Sequence, residues 1–236
     1  MALPKLNTQT FELTVPSTDE KIKFRPFLVK EEKILLQAQE GGQSEMMDAV
    51  ADVVESCTFG KVNVNALPSF DLEYIFLKIR AASIGEVIDL TVTCTDDNET
   101  TTTASLDISE IEVEKSKEHS NKIMLDKDTG IVMKYPSMDR FIESQFLSKD
   151  IKTEEVFNFI SDNIDQIFQG DEVFDKTTTT PKEFRTFVEG LTSKQFEAIQ
   201  KFYETMPKLT HSFKVTNPNT GVECEYTLEG LQSFFA

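Results

Sequence analysis

The sequence predicts an α+β fold in which β-hairpins combine with amphipathic helices, in two modules that each carry a cysteine-containing hairpin. Two patterns lead to this expectation. Short stretches that alternate apolar and polar residues flank polar turns, and longer stretches carry apolar residues at helical spacing. A third observation sets the class. The elements run strands, helices, hairpin, hairpin, helices, hairpin, without the regular interleaving of a doubly wound parallel sheet. The 236 residues suit one large domain or two small ones, and 39% hydrophobic content supplies a core. The expected modules are 1–118, with a hairpin, three helices, the Cys94 hairpin and an acidic linker, and 119–236, with a hairpin, four helices, the Cys224 hairpin and a short terminal helix.

Each element follows from its residues. In "TFELTVPSTDEKIKFRPF" (Thr10–Phe27), Phe11, Leu13 and Val15 share one face and Ile22 and Phe24 another, on either side of a Pro-Ser-Thr-Asp turn. Pro26 leads into "LVKEEKILLQAQE", a helix with Ile34, Leu35 and Ala38 inward, Glu31 and Glu32 in its first turn, and Gly41-Gly42 at its end. "SEMMDAVADVVESC" places Met46, Val50, Val53 and Cys57 at helical spacing, which makes Cys57 a core residue. "FDLEYIFLKIRAASIGE" carries a stripe of Leu72, Ile75, Phe76 and Ile79, stops at Gly85, and leaves Arg80 to cover apolar surface while its head reaches a carboxylate. "VTCTDDNETTTTASLDIS" (Val92–Ser109) is the first cysteine hairpin, and the acidic "LDISEIEVEKSKEHS" is a linker or exposed strand.

"NKIMLDKDTGIVMKYP" is a hairpin closed by Asp128-Thr129-Gly130. Its Asp126-x-Asp128 pair is no calcium loop, because Ile131 and Ser137 stand where Gly and Glu are needed. "SMDRFIESQFL" gathers Met138, Phe141, Ile142 and Phe146 on one side. "TEEVFNFISDNIDQIF" opens at Thr153 and carries Val156, Ile160, Ile164 and Ile167 as one helix. Thr180-Pro181 with Glu183, and Thr192 with Gln195, are capping boxes for two further helices, the second ending before Pro207. The chain closes with "VTNPNTGVECEYTLEG" (Val215–Gly230) and "LEGLQSFFA".

Composition narrows the function. The net charge is −17, from 24 basic and 41 acidic residues, which repels a phosphate backbone and argues against nucleic acid as a partner. Acidity otherwise reads as solubility, or as a face for basic protein partners. The 19 Phe against no Trp suit cores and buried interfaces. The opening "MALPKLNTQTFELTVP" has no basic start followed by an apolar run, and no apolar stretch is long enough for a bilayer. Three widely spaced cysteines form no disulfide framework, so a soluble protein of a reducing compartment is expected.

Catalytic motifs are lacking. Nothing surrounds a Ser or Cys as an activating base would, there is no Gly-rich phosphate loop, and the two histidines, His119 and His211, stand in the linker and at the start of the last hairpin. Asp96-Asp97 reads as turn polarity and Glu154-Glu155 as helix N-terminal charge. Aligning Val92-Thr93 with Val215-Thr216 sets Cys94 opposite Asn217 and Cys224 opposite the Thr run, and neither hairpin has the CxxC of a zinc site. No enzyme activity, cofactor or metal is therefore expected. The alternatives are a metal-binding or thiol enzyme using Cys94, Cys224 and His211, with zinc as the metal, and an acidic adaptor or inhibitor, against which the scatter of the acidic residues speaks.

Three stretches carry a family resemblance: "KFRPFLVKEEKILLQAQE" (Lys23–Glu40), "FDLEYIFLKIRAASIGE" (Phe70–Glu86) with the Cys94 hairpin after it, and "EYTLEGLQSFF" (Glu225–Phe235). They resemble the baseplate hub protein family of T-even-like contractile-tailed bacteriophages, in its cyanophage form. The resemblance implies a non-enzymatic component or assembly factor of the central hub, which joins the tail tube to the spike and nucleates the wedges. It implies a late protein whose partners are other hub and tube proteins, with oligomeric assembly compatible and no membrane partner. Its place would be the virion tail baseplate, reached through the host cytoplasm. In relatives the last hairpin looks like a zinc knuckle with paired cysteines; here "VTNPNTG" has none and only Cys224 remains. The candidate interaction residues are Lys23, Phe24, Arg25 and Phe27 of the KFRPF strand and Leu228, Leu231, Phe234 and Phe235 at the terminus. Their plainer readings are a solvated strand and an end tucked into its own core. Hairpin edges offer a further route to strand exchange with a neighbour.

Overall fold

The computed structural model describes residues 7–137 and 153–234, which form an α+β fold of small antiparallel sheets and amphipathic helices. The expected helix over Met138–Phe146, and Phe235, lie outside the described residues. The chain divides into two compact units, and the division is not the linear one of 1–118 and 119–236. One unit joins 1–114 to 208–236; the other is 115–207, inserted between them. The Cys224 hairpin thus belongs with the Cys94 hairpin. The physical link is strand pairing, because Leu209 pairs with Val113.

The discontinuous unit starts with β1 (Phe11–Thr14) and β2 (Lys21–Phe24), paired Phe11↔Phe24 and Leu13↔Ile22. Opposed residues share a face, so the apolar sets of the two strands lie on one side, and the Phe11 and Phe24 rings stack at 5.5 Å. Helices α1 (Val29–Gln39), α2 (Gln43–Cys57) and α3 (Ser69–Ile84) follow. The core takes Val50, Val53 and Cys57 of α2 and Leu72, Ile75, Phe76 and Ile79 of α3, as the helical spacing predicts. Each such side chain contributes about 1.5–3 kcal/mol by leaving water. Gly85, at φ +122°, ends α3 in a conformation that only glycine adopts readily.

α1 departs from the expected pattern. Ala38 is buried, but Ile34 is 39% exposed and Glu31 points inward instead. Glu31 accepts from Arg25 Nη2 at 2.8 Å and from the Leu28 N–H at 2.8 Å, so a charge-assisted pair (which pattern reading scores as polar surface) occupies an inner position. Burial works to raise its pKa, but Arg25, the Leu28 N–H and Lys30 win, holding it at about 2. Arg80 also differs: its Nη1 is buried with no hydrogen-bond partner, and it makes no ion pair among the described residues.

β3 (Val87–Thr93) and β4 (Thr101–Asp107) form the first cysteine hairpin, longer than expected at its open end. The acidic segment after it is not a free linker. Ile108 and Ile111 are buried, and β5 (Val113–Glu114) joins β10 (Lys208–Thr216), which pairs with β11 (Glu223–Glu229). A short 3₁₀ turn, Leu231–Phe234, closes the unit.

In the inserted unit, β6 (Lys122–Met124), β7 (Thr129–Met133), β8 (Ile164–Gln169) and β9 (Glu172–Asp175) make one meander. The single helix expected through Ile167 is α4 (Thr153–Asp162) followed by β8. Asn163 makes the break. Its side chain donates to Phe159 O at 2.9 Å, closing the helix, and Ile164 and Ile167 behind it pair with Met133 and Ile131 of β7. α5 (Pro181–Glu189) and α6 (Ser193–Glu204) start at the expected capping boxes, with Thr180 N–H 2.8 Å from Glu183 and Thr192 N–H 2.9 Å from Gln195. Ile131, Ile164, Phe184, Val188, Ile199 and Phe202 form the core. Gly130 permits the close packing of this sheet, since a Cβ there would stand 2.3 Å from the Phe168 ring.

Candidate functional site

The cysteine hairpins meet at their tips, and the local sequence explains how. In "CTDDNET" the Asn98 N–H donates to Cys94 O at 2.9 Å and the Cys94 N–H to Thr100 O at 2.7 Å. In "NPNTGV" the Gly221 N–H donates to Asn217 O at 2.9 Å and the Asn217 N–H to Val222 O at 2.8 Å. The fifth residue of each turn is left-handed, Asn98 at φ +55° and Gly221 at φ +76°; Asn and Gly are the residues that tolerate this. The first hairpin repeats the turn, with Asp19 at φ +58° bonding back to Val15 O. The first turn residues, Val15, Cys94 and Asn217, are all buried. Cys94 and Asn217 are therefore structural equivalents, as the sequence alignment has them.

Asp96 sits at the centre of the meeting. Its carboxylate accepts from Asn217 Nδ2 at 2.8 Å, Thr220 Oγ1 at 2.5 Å and Cys224 Sγ at 3.3 Å. Asp97 accepts from Thr100 Oγ1 at 2.6 Å and from Asn217 Nδ2 at 3.0 Å. Asn219 Nδ2 reaches Thr100 Oγ1 at 2.9 Å, and the Tyr226 hydroxyl donates to Thr93 O at 2.6 Å. These donors hold both carboxyls below the ordinary range, Asn217 and Thr220 acting on Asp96, Thr100 first on Asp97. Burial, then the neighbouring Cys224 and the two carboxylates, push the Cys94 thiol up.

Cys94, Asp96 and Cys224 offer ligand atoms within 4.8 Å of one another, which unites two of the three expected alternative ligands: Cys224 joins Cys94, and the third member is Asp96 instead of His211. His211 pairs with Leu228 along β10–β11 and stacks on Phe213. The set does not match a four-ligand structural zinc site. Both Asp96 oxygens already accept donors, the Cys224 thiol is one of those donors, and Asn217 and Thr220 hold the positions that a second pair of thiolates needs.

The other reactive groups are in use. Cys57 is fully buried, and burial raises its thiol to about 11. His119 bridges Thr205 Oγ1 at 3.0 Å and the Tyr135 hydroxyl at 2.9 Å within an aromatic stack with Tyr135 and Phe202, and burial lowers its pKa.

The expected interaction residues separate. Lys23 is exposed and pairs with Glu12 at 3.4 Å. Phe24, Leu231 and Phe234 are buried, Phe27 and Leu228 half-buried, and Arg25 is committed to Glu31. Exposed apolar side chains lie elsewhere: Val29 and Leu36 on α1, Ile84 at the end of α3 and Val87 at the start of β3. Phe27 N–H donates to Ser83 Oγ at 2.9 Å, which brings the start of α1 beside the end of α3. On α1 the expected inward face holds at Ala38, but Ile34 is exposed and Glu31 is buried in its stead.

A protein-family model described as T4 bacteriophage base plate protein matches residues 7–236. No curated protein and no solved structure matches the chain.

Proposed function

The chain belongs to the T4 bacteriophage base plate protein family, and from that premise we propose that it is a non-enzymatic component or assembly factor of the baseplate hub, working through contacts with other hub and tube proteins. The observation that carries this reading is the reach of the family match, residues 7–236, which takes in all the described elements of both units. Two features support a contact role. The thiols are buried and His119, Asp96 and Asp97 hold hydrogen-bond partners of this chain, whereas Val29 is 80% and Val87 62% exposed. Among the described residues no helix is long and apolar enough to cross a membrane. The protein would act in the virion tail baseplate after assembly in the host cytoplasm.

Quantitative mass spectrometry of purified tails tests the reading. A structural subunit appears in fixed ratio to the tube protein; an assembly factor is absent from finished particles and present on hub intermediates. Absence from both sinks the hub reading. Val29→Asp with Val87→Asp should leave the isolated protein folded and lower its incorporation; unchanged incorporation would remove these side chains from the contact.

A further inference from the structure

We propose that the tips of the β3–β4 and β10–β11 hairpins form a metal-independent clasp, in which the Asp96 carboxylate fills the position that a structural cation would take between the turn pairs Cys94/Asp97 and Asn217/Thr220. The equivalence of the two turns carries the first half of the argument. Each turn presents its first and fourth residues, and that spacing is the one at which paired ligands grip a zinc ion. Here the four positions hold a thiol, a carboxylate, an amide and a hydroxyl, and the last two, with the neighbouring Cys224, point at one anion. Asn217 Nδ2, Thr220 Oγ1 and Cys224 Sγ all donate to Asp96. The centre of the junction is thus an acceptor ringed by donors, the inverse of a cation ringed by acceptors.

Charge and lone pairs decide between the two. No lysine or arginine among the described residues pairs with Asp96 or Asp97, so neutral donors alone satisfy these carboxylates. A cation bound to Cys94, Asp96 and Cys224 would displace the Cys224 proton and compete with the Asn217 and Thr220 donors for the same oxygens. It would strip the Thr220 hydroxyl of its Asp96 acceptor and leave the buried Asn217 amide with Asp97 alone, a loss that a buried polar group does not absorb cheaply. The bonds of the clasp span 119 to 128 residues of sequence. The clasp is consequently what ties the returning hairpin to the first part of its unit at the end distant from the β5–β10 pairing.

Elemental analysis of the full chain, expressed in zinc-supplemented medium, is the first test. The expected result is substoichiometric metal and an unfolding midpoint that a chelator does not move. One tightly bound equivalent of zinc, lost in Cys224→Ser, would overturn the proposal. The second test reads the clasp itself by amide hydrogen exchange in Asp96→Asn and in the milder Thr220→Val. Both turns, 94–100 and 217–222, should exchange at least about 10-fold faster, while β7 and β8 keep their protection. Unchanged exchange in Thr220→Val overturns the clasp even if Asp96→Asn does not fold.

Discussion

In the inserted unit the turn carboxylates bond within their own turn, and the discontinuous unit adds to such local bonds carboxylates that reach turns from far away. In the insert, Asp126 Oδ1 accepts from the N–H groups of Asp128 and Thr129 at 2.9 and 2.7 Å, and Asp175 Oδ1 from those of Thr177 and Thr178 at 2.8 and 3.1 Å. In the other unit, the Asp71 carboxylate of α3 takes both the N–H and the hydroxyl of Ser17, and Asp96 takes the Asn217 turn. Glu73 faces the Leu231 N–H at the start of the terminal 3₁₀ turn. Local closure asks little of the rest of the fold. Remote closure makes each hairpin conditional on another element, and although Asp96 stays exposed, Asp71 and Glu73 are withdrawn from solvent, where stability becomes a function of pH.

The largest expected effect tests the apolar side of this contrast. Phe184→Ala empties a fully buried position and should cost about 4 kcal/mol in denaturant unfolding, with no change in pH dependence. Next comes the buried pair in the discontinuous unit. Arg25→Met strands Glu31, which is 1% exposed, and should cost about 3 kcal/mol near neutral pH. Glu31 is depressed from 4.5 to about 2, so its contribution is present above 4.5 and is lost as pH falls through 2. The variant should lack that acid transition.

Asp71 runs the other way. Burial raises it from 3.8 to about 6 despite the Ser17 bonds, so the folded state holds the proton more tightly than the unfolded chain. Stability should therefore fall as pH rises from about 4 to 6, by about 2–3 kcal/mol. Glu73, raised by burial to about 7, adds the same sign up to that pH. Asp71→Asn should flatten the Asp71 part of the profile in pH-dependent urea titrations; an unaltered slope would break the contrast between the units. The smallest effect belongs to local closure. Thr180→Ala should cost about 1 kcal/mol, through the lost cap of α5 alone.

The same contrast explains what could be read from the sequence. The hairpins, the two capping boxes and the α3 stripe depend on neighbours in sequence, and each is found, although Thr129 and Gly130, expected in a turn, belong to β7. The Asn163 break was hidden because Ile164 and Ile167 continue the helical spacing of Val156 and Ile160 while serving a strand. Glu31 was hidden because its partner Arg25 lies outside the helix being scanned. At the candidate site, the matching of Cys94 with Asn217 was legible from the turns. The role of Asp96 was not, because Thr220 is 124 residues away from it and nothing in either stretch names the other. The return of the chain through Leu209 beside Val113 was equally silent: a two-residue strand has no period.

The order of synthesis follows from that return. A ribosome finishes residues 115–207 while 208–236 are still unmade, so the insert can reach its full set of contacts first. Residues 1–114 must wait, with β5 lacking β10 and with Asp71 and Asp96 in different situations: the first already has Ser17, the second has no Asn217 to hold. Until the last hairpin emerges, Val113 of β5 and the α3 face that receives the terminal 3₁₀ turn have incomplete cover. A nascent chain of this protein thus exposes its oldest part longest, and that is the interval in which a chaperone would find it.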